Sequence, residues 1–273
     1  MPEGAEVRII SEDLAKKIGT RKIQGISPVS GRYTKKSISG LHHVHDAVKE
    51  KGSVRVIGVG VKGKLIFFIL SDDLFLLNTL GMTGGWSEEE NHKYGRVRFD
   101  FDVGSPVFFT DMRNFGTLKI VKGKREFLKK LDSLGPDMLN EDVSFEQFLS
   151  ALDKKPHWPI CKTLMNQSVV CGVGNYVKAE ALYRSKISPH RLVGSLSSSE
   201  ISLLHKEIKG VLSRAYKAMG ASIRDYTNLD GKKGDAASQF LVYGKKRDPA
   251  GNEVIKETTQ DGRTTHWVPN VQK

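Results

Sequence analysis

The sequence predicts an α+β fold: an N-terminal helix with a two-layer β-sandwich, followed by a helical domain that ends in a β-hairpin. Residues 22–121 contain short apolar runs separated by Gly, Asn and Asp, which is typical of a sandwich of short strands. Residues 157–218 instead place apolar side chains at helical spacing, and residues 240–273 alternate and turn at glycines. With 273 residues, the chain is long enough for two domains.

The first predicted element is an amphipathic helix over residues 6–18, which ends at Gly19. Its apolar side chains recur every three or four residues: Val7, Ile10, Leu14 and Ile18. The strands of the predicted sandwich follow at residues 54–61, 65–70, 74–80, 97–101 and 107–110.

The second half of the chain is predicted to be mainly helical. Residues 124–153 contain two short helical patterns around the break Leu134-Gly135-Pro136-Asp137, where we place the domain boundary. Helices are also expected around 160–164, from Asn175 onward and over 198–217, before a long polar loop at 219–239. The predicted parts are therefore residues 1–122, a linker over 123–153, a helical domain over 154–239 and a hairpin over 240–273.

The charge balance favours a polyanionic partner, with nucleic acid as the first candidate. Lys and Arg outnumber Asp and Glu by 43 to 31, a formal net charge of +12. The basic residues are spread along the chain and do not form one tail. Solvated surface faces explain any single basic cluster, but they explain the total less well.

The cysteine content and the apolar runs predict an intracellular protein. Cys161 and Cys171 form no CxxC motif and are expected to be reduced, partly buried thiols. No apolar run approaches the roughly 20 residues of a membrane span, and the N-terminus has no apolar signal core.

The N-terminus carries the first candidate chemistry. Removal of Met1 would leave Pro2 with a free secondary amine, and an α-amino group titrates near pH 8, so part of it is nucleophilic at neutral pH. Attack of this amine on an aldehyde-level carbon gives an iminium ion, an electron sink. Glu3 is adjacent and can donate or accept a proton. The alternative is that both residues simply begin a helix at the surface.

Two further segments suggest contacts with phosphate. The turn that contains Gly172, Gly174 and Asn175 lies between helical patterns, so its backbone and the next helix N-terminus can approach an anion. Its alternative is an ordinary helix–turn–helix. Lys64 precedes a strong strand, and Arg263 lies at the predicted hairpin tip. Each of these two could equally be a solvated surface charge.

A predicted loop after a strand, Asp111 to Gly116, combines a cation and an aromatic ring. Arg113 could fill a gap in a duplex, and Phe115 could insert between bases. Met82 lies between two glycine-containing turns, and its alternative role is to fill the core.

Together, these motifs and their order resemble the formamidopyrimidine-DNA glycosylase/endonuclease VIII (Fpg/Nei) family along the whole chain. Pro2 to Glu6 is similar to the Pro-Glu-Gly-Pro-Glu start of the endonuclease VIII form, with Ala5 in place of proline. The other matching segments are 62–64, 80–84, 111–116, 134–137, 172–176, Ser222-Ile223-Arg224-Asp225-Tyr226, 242–244 and 263–272.

The resemblance implies a helix–two-turn–helix (H2TH) domain and a bifunctional DNA glycosylase/AP lyase of base excision repair, which needs no cofactor. Pro2 then resembles the nucleophile that attacks C1′ and displaces the base, and Glu3 the acid that assists base departure and sugar opening. The iminium intermediate would then allow strand cleavage by β,δ-elimination. The partner implied is damaged DNA, duplex or single-stranded, wherever the cell holds it, and a monomer is the default expectation.

The resemblance also assigns the remaining candidate residues. Lys64 matches a catalytic lysine that contacts phosphate, and Glu6 matches a further acidic position near the active site. Asn175 and Arg263, with Gly174, match DNA-binding positions that flank the lesion. The residues that would fill the void left by the flipped base are Met82, Arg113 and Phe115.

The C-terminal hairpin departs from the family pattern. Family members usually end in a zinc finger with four cysteines, but the first pair here falls in the cysteine-free segment 248–253 and the second pair on Val268 and Val271. The resemblance therefore predicts a zincless finger with no metal, held by packing of Trp267, Val268 and Val271. His266 is a lone histidine and is not predicted to be a ligand.

Two features bear on the lesion preference. The Pro-Glu-Gly start and the missing cysteines favour oxidised pyrimidines and hydantoins as substrates. The segment 220–244 is, however, as long as the lesion-binding loop of the formamidopyrimidine type, which keeps formamidopyrimidines and 8-oxoguanine open. Other classes considered are a non-catalytic binder of damaged DNA and a basic RNA- or ribosome-binding protein. Neither class explains why Pro2, Glu3 and Lys64 occur together.

Overall fold

The computed structural model describes residues 2–221 and 234–273, which group into two compact units. Unit one contains Pro2, Glu6–Asp132, Ala221 and Gly234, and unit two contains Glu3–Ala5, Ser133–Gly220 and Asp235–Lys273. No helix in these described ranges is long and apolar enough to cross a membrane.

The predicted α+β class is confirmed, and the sandwich forms the centre of unit one. Its eight antiparallel strands are β1 (Lys22–Pro28), β2 (Val54–Lys62), β3 (Leu65–Leu70), β4 (Leu74–Thr79), β5 (Gly84–Ser87), β6 (Gly95–Phe101), β7 (Val107–Asp111) and β8 (Thr117–Lys122). Their order in the sheet is β5-β7-β6-β1-β2-β3-β4-β8. β1 and β2 pair through only two residue pairs, so the two halves of the sheet can turn apart there and form the two layers.

One apolar core fills unit one. Alternate residues of the strands point into it, such as Val97 and Phe99 of β6 and Phe68 of β3. The first helix, α1 (Gly4–Ile18), adds Ile10 and Leu14 to the same core, as its helical spacing predicted.

The region 22–121 also contains helices that the sequence analysis did not predict. The short α2 (Arg32–Lys35) and the longer α3 (Leu41–Lys51) lie between β1 and β2. α3 buries Leu41, Val44 and Ala47, whose three-residue spacing is the signal that was missed. In contrast, α4 (Lys124–Asp132), which follows β8, lies in the region 124–153 where helical patterns were predicted.

Unit two is helical, as predicted. Its helices are α5 (Phe145–Leu152), α6 (Ile160–Met165), α7 (Asn175–Arg184) and α8 (Ser198–Lys217), with short 3₁₀ turns at Val193–Ser195 and Ala236–Gln239. α5 and α8 each begin with a capping box, in which a serine and the residue three positions later satisfy each other's backbone N–H. Cys161 and Cys171 are both buried and form no disulfide within the described residues, and burial raises the pKa of the Cys161 thiol.

The predicted C-terminal hairpin is confirmed. β9 (Ile255–Thr258) pairs with β10 (Thr264–Trp267) in antiparallel register. Val268 and the partly buried Val271 pack in one cluster with Ala179, Val242 and Val254.

The four-part domain division stays a prediction. The linker predicted over 123–153 holds two helices, α4 in unit one and α5 in unit two. Within the predicted loop 219–239, residues 222–233 lie outside the described ranges, and with them the motif Ser222 to Tyr226 and the turn Asp230-Gly231.

Candidate functional site

Glu3 is buried in unit two at the N-terminus of α7. Its two carboxylate oxygens accept the backbone N–H groups of Tyr176 at 2.9 Å and Val177 at 3.2 Å. The N-cap residue of this helix is Gly174, which has no side chain to accept those N–H groups. Glu3 therefore supplies the cap from far away in the chain, and the positive end of the helix dipole stabilises its negative charge.

This contact corrects the interpretation of the glycine turn. Residues 172–175 were predicted to offer helix N–H groups to a phosphate, but those of Tyr176 and Val177 are occupied by Glu3. The turn also anchors the start of α1, because Gly4 donates its N–H to the carbonyl of Gly172 at 2.9 Å. A DNA contact by Gly174 stays a prediction.

The structure brings Asn175 and the turn of Arg263 together within unit two. Asn175 Nδ2 donates to the Thr264 carbonyl at 2.8 Å, next to Arg263 in the chain. The Arg263 side chain is exposed, whereas Asn175 Oδ1 is buried and accepts no hydrogen bond. Asn175 therefore contacts the same turn that carries the exposed Arg263 side chain.

Pro2 and Glu6 both lie in unit one and are buried. Met1 lies outside the described residues, so its removal stays a prediction. Glu6 accepts the backbone N–H of Ala221 at 2.7 Å. Glu6 therefore has a structural contact with Ala221 that its sequence position did not suggest.

Lys64 lies in the tight turn between β2 and β3. Lys62 and Leu65 form the last pair of the ladder, and Gly63 takes a positive φ of 57°, so Gly63 and Lys64 are the two turn residues. Strand β3 therefore begins at Leu65, one residue after Lys64. The lysine is half-buried and belongs to unit one, as does Pro2.

The three predicted void-filling residues form one cluster in unit one. The Arg113 guanidinium lies 4.8 Å from the centre of the Phe115 ring, and its Nη1 lies 3.6 Å from Met82 Sδ. Phe115 is 54% exposed, which is unusual for a large apolar side chain, and Met82 is half-buried. The cluster therefore presents an aromatic ring and a cation to solvent side by side.

Two residues that the sequence analysis missed shape the loop that carries this cluster. The buried Asp111 carboxylate accepts the N–H of Gly116 at 2.7 Å, the N–H of Arg113 at 3.2 Å and the Thr83 hydroxyl at 2.6 Å. Arg32 donates to the carbonyl groups of Asn114 and Gly116 from the other side. Asp111 begins the motif that was singled out, whereas no pattern marked Arg32.

The residues of the hairpin do not fit a four-cysteine zinc site. In the segment where the first cysteine pair would fall, the Asp248 carboxylate accepts the N–H groups of Ala250 and Asn252 and the hydroxyl of Tyr183. Val268 and Val271 occupy the positions of the second pair, and valine carries no ligand atom. Among the described residues, no three His, Cys, Asp or Glu side chains come together as a metal site.

His266 is buried against the ring of Tyr243 at 4.8 Å, and its Nδ1 has no hydrogen-bond partner. Burial lowers its pKa, and the charges of Lys256 and Lys178 lower it further. Trp267 donates Nε1–H to Glu257 at 3.0 Å, and the centre of its ring lies 5.2 Å from that of His190.

Comparisons with known proteins match nearly the whole chain. Residues 1–118 match the formamidopyrimidine-DNA glycosylase N-terminal domain, 134–227 its H2TH domain and 230–273 its C-terminal domain. The formamidopyrimidine-DNA glycosylase of Shouchella clausii is 36% identical over 78% of this chain and 79% of its own length. That of Cytobacillus firmus is 31% identical over 100% of both chains.

A solved structure supports the same relationship. A complex between a variant of Lactococcus lactis FPG and a Fapy-dG containing DNA superposes with a TM-score of 0.87. The two sequences are 29% identical, and the match covers 100% of both chains.

Proposed function

The chain belongs to the formamidopyrimidine-DNA glycosylase family, and on that premise we propose that it excises formamidopyrimidine and 8-oxoguanine lesions and then cleaves the strand. The coarser activity, a DNA glycosylase of base excision repair, follows from the family itself. The relatives carry the formamidopyrimidine name, and the solved complex holds a Fapy-dG lesion. These names favour formamidopyrimidines and 8-oxoguanine as substrates, which is the alternative that the sequence left open. They do not favour the predicted preference for oxidised pyrimidines.

The observation that carries the mechanism is the position of Glu3. Its two oxygens are fixed by backbone N–H groups at a helix N-terminus, and it is covalently adjacent to Pro2. The two donors stabilise the carboxylate charge, and a carboxylate can accept and return a proton in general acid–base catalysis. Glu3 can therefore accept the proton that the Pro2 ammonium loses and deliver it to the sugar ring oxygen.

The reaction then proceeds without an external oxidant or reductant. The Pro2 nitrogen forms a bond to C1′, and the bond from C1′ to the base nitrogen breaks. The base leaves with the remaining N–H proton of Pro2, which the nitrogen loses as it becomes bonded to C1′. Opening of the sugar gives an iminium ion at C1′, which acidifies the protons on C2′. Loss of a C2′ proton expels the 3′ phosphate, and a second elimination expels the 5′ phosphate.

The other residues serve binding in this proposal. Arg263 and Asn175 hold a backbone phosphate next to the lesion, and Lys64 contacts another. The cluster of Met82, Arg113 and Phe115 fills the space that the flipped nucleotide leaves. Base flipping costs a few kcal/mol, and filling the void offsets part of it.

Single-turnover excision tests this proposal. The Met1-free protein is mixed in excess with duplexes that each carry formamidopyrimidine-guanine, 8-oxoguanine, thymine glycol or a hydantoin. We expect the two purine lesions to be released faster than thymine glycol, and cleaved strands to carry phosphate at both ends. Faster release of thymine glycol would overturn the specificity. Binding to an abasic-site duplex without excision or cleavage would leave a non-catalytic binder.

A further inference from the structure

Lys178 is the most unusual charged residue of unit two. It lies in α7 with none of its side chain exposed, and its Nζ donates to the Asp261 carboxylate and to Thr265 Oγ1 at 2.7 Å. An ammonium group is strongly disfavoured inside a protein unless it is paired and hydrogen-bonded. An apolar side chain could occupy the position of Lys178 against the hairpin. The presence of a buried ammonium group there therefore requires an explanation.

The contact continues from Asp261 to the backbone of Arg263. The second carboxylate oxygen of Asp261 accepts the Thr259 hydroxyl at 2.6 Å and the Arg263 N–H at 3.3 Å. The Arg263 carbonyl in turn accepts the Thr259 N–H at 3.1 Å. Both backbone groups of Arg263 are therefore fixed, while its side chain remains exposed.

A second contact links the same helix to the same turn. Asn175 lies three residues before Lys178 in α7, one helical turn away, and its amide holds the carbonyl of Thr264. α7 therefore carries one of the two predicted phosphate-binding residues and also the ammonium that anchors the turn of the other. The spacing between Asn175 and Arg263 is set by this helix.

We propose that the buried Lys178–Asp261 ion pair is a positioning device for Arg263, in a hairpin that lacks the cysteines of a zinc finger. The inference rests on the proposed function, because it assumes that Arg263 binds DNA phosphate. The base of the hairpin is held separately by Asp248 and by the cluster around Val268. The tip is held by the ion pair and by the Asn175 amide on the Thr264 carbonyl.

The test measures binding of the full chain to a duplex that carries a tetrahydrofuran abasic-site analogue, over a range of salt concentrations. We expect Arg263→Ala to weaken binding about 10- to 100-fold and to reduce the salt slope by about one charge. Lys178→Met should weaken binding and reduce the salt slope to the same extent as Arg263→Ala, although Lys178 is buried. Lys178→Arg should restore most of the affinity, because it keeps the charge and the donors.

A double variant separates positioning from general damage to the fold. Lys178→Met combined with Arg263→Ala should bind no more weakly than Arg263→Ala alone, because both remove the same phosphate contact. Losses that multiply, with an unchanged salt slope for Lys178→Met, would overturn the inference. Lys206→Met is the matched control, because it removes one exposed lysine of unit two and should leave binding unchanged.

A substitute variant and two further outcomes separate failure of this inference from failure of the proposed function. If Lys178→Met does not fold, Asp261→Asn is measured instead, because it removes the charge and keeps an acceptor for the Thr259 hydroxyl. If the unmodified protein does not bind the duplex, the proposed function itself fails. If Arg263→Ala weakens binding but folded Lys178→Met does not, the proposed function stands and the positioning inference fails.

Discussion

The Glu3 carboxyl group occupies the space that a side chain on residue 174 would need. An ideal Cβ on Gly174 would lie 2.2 Å from Glu3 Cδ and 2.5 Å from each of its oxygens. The glycine is therefore required by the position of a candidate catalytic group, and its φ of −127° shows that backbone freedom is not the reason.

Replacing this glycine is expected to disable the chemistry. Gly174→Ala should displace Glu3 from the N-terminus of α7 and slow base excision by about 10²- to 10⁴-fold, the range for loss of a general acid–base group. Single-turnover excision measures this rate. Gly58→Ala is the matched control, since a Cβ at Gly58 meets nothing within 4 Å. Equal rates for both variants would contradict the role given to Glu3.

The exposed ring of Phe115 should contribute to the reaction on duplex DNA but not to the reaction on single-stranded DNA. Phe115→Ala is expected to leave the free energy of unfolding unchanged within about 0.5 kcal/mol, because the ring is largely exposed. Excision from a duplex should slow by about 10-fold or more, since stacking on a base contributes roughly 1–3 kcal/mol. Cleavage of a single-stranded abasic site should hardly change. The neighbouring exposed Met112→Ala serves as the control, and an equal loss with both substrates would argue against a void-filling role.

Metal removal should have no effect on this protein. The hairpin has valines where ligands would be needed, and Asp248 is engaged by backbone N–H groups. Incubation with 1,10-phenanthroline should therefore leave abasic-site cleavage unchanged, whereas a four-cysteine relative treated alongside should lose activity. Loss of activity that added zinc restores would show that a metal site exists after all.

His266 should make the stability fall in mild acid. Its pKa is lowered in the folded protein by burial and by two lysines, so the unfolded chain binds this proton more tightly. As the pH falls through about 6.5, the unfolded state gains protons first and the free energy of unfolding decreases. Urea unfolding at pH 7.5 and pH 5.5 should show a larger decrease for the unmodified protein than for His266→Phe. A decrease of the same size in both would exclude His266 as the cause.

The sequence predicted the elements better than their long-range contacts. The sandwich, the helical domain and the hairpin follow from local periodicity, and the motif 111–116 marked its loop correctly. Helix α3 was missed because the whole region 22–121 was interpreted as a sandwich of short strands. The contact of Glu3 with Tyr176 joins residues 173 positions apart, and no local pattern reports such a pair.

The burial of charged side chains was the second feature that the sequence did not predict. No sequence pattern predicted that Lys178, Asp111 and Glu6 are buried, yet each is buried in the structure. A charged residue is buried only when the fold supplies its partners, and those partners come from distant segments. Sequence reasoning therefore located the candidate active residues but not the groups that hold them in place.

The proposed function depends first on the Pro2 nitrogen as the nucleophile. The most direct measurement is borohydride reduction of the Met1-free protein on an abasic-site duplex, followed by mass spectrometry of the peptide bound to DNA. We expect a covalent complex through the Pro2 nitrogen, and we expect Pro2→Gly to lose or strongly reduce this complex while it retains DNA binding. Attachment at a lysine such as Lys64, or no covalent complex with DNA binding intact, would contradict it.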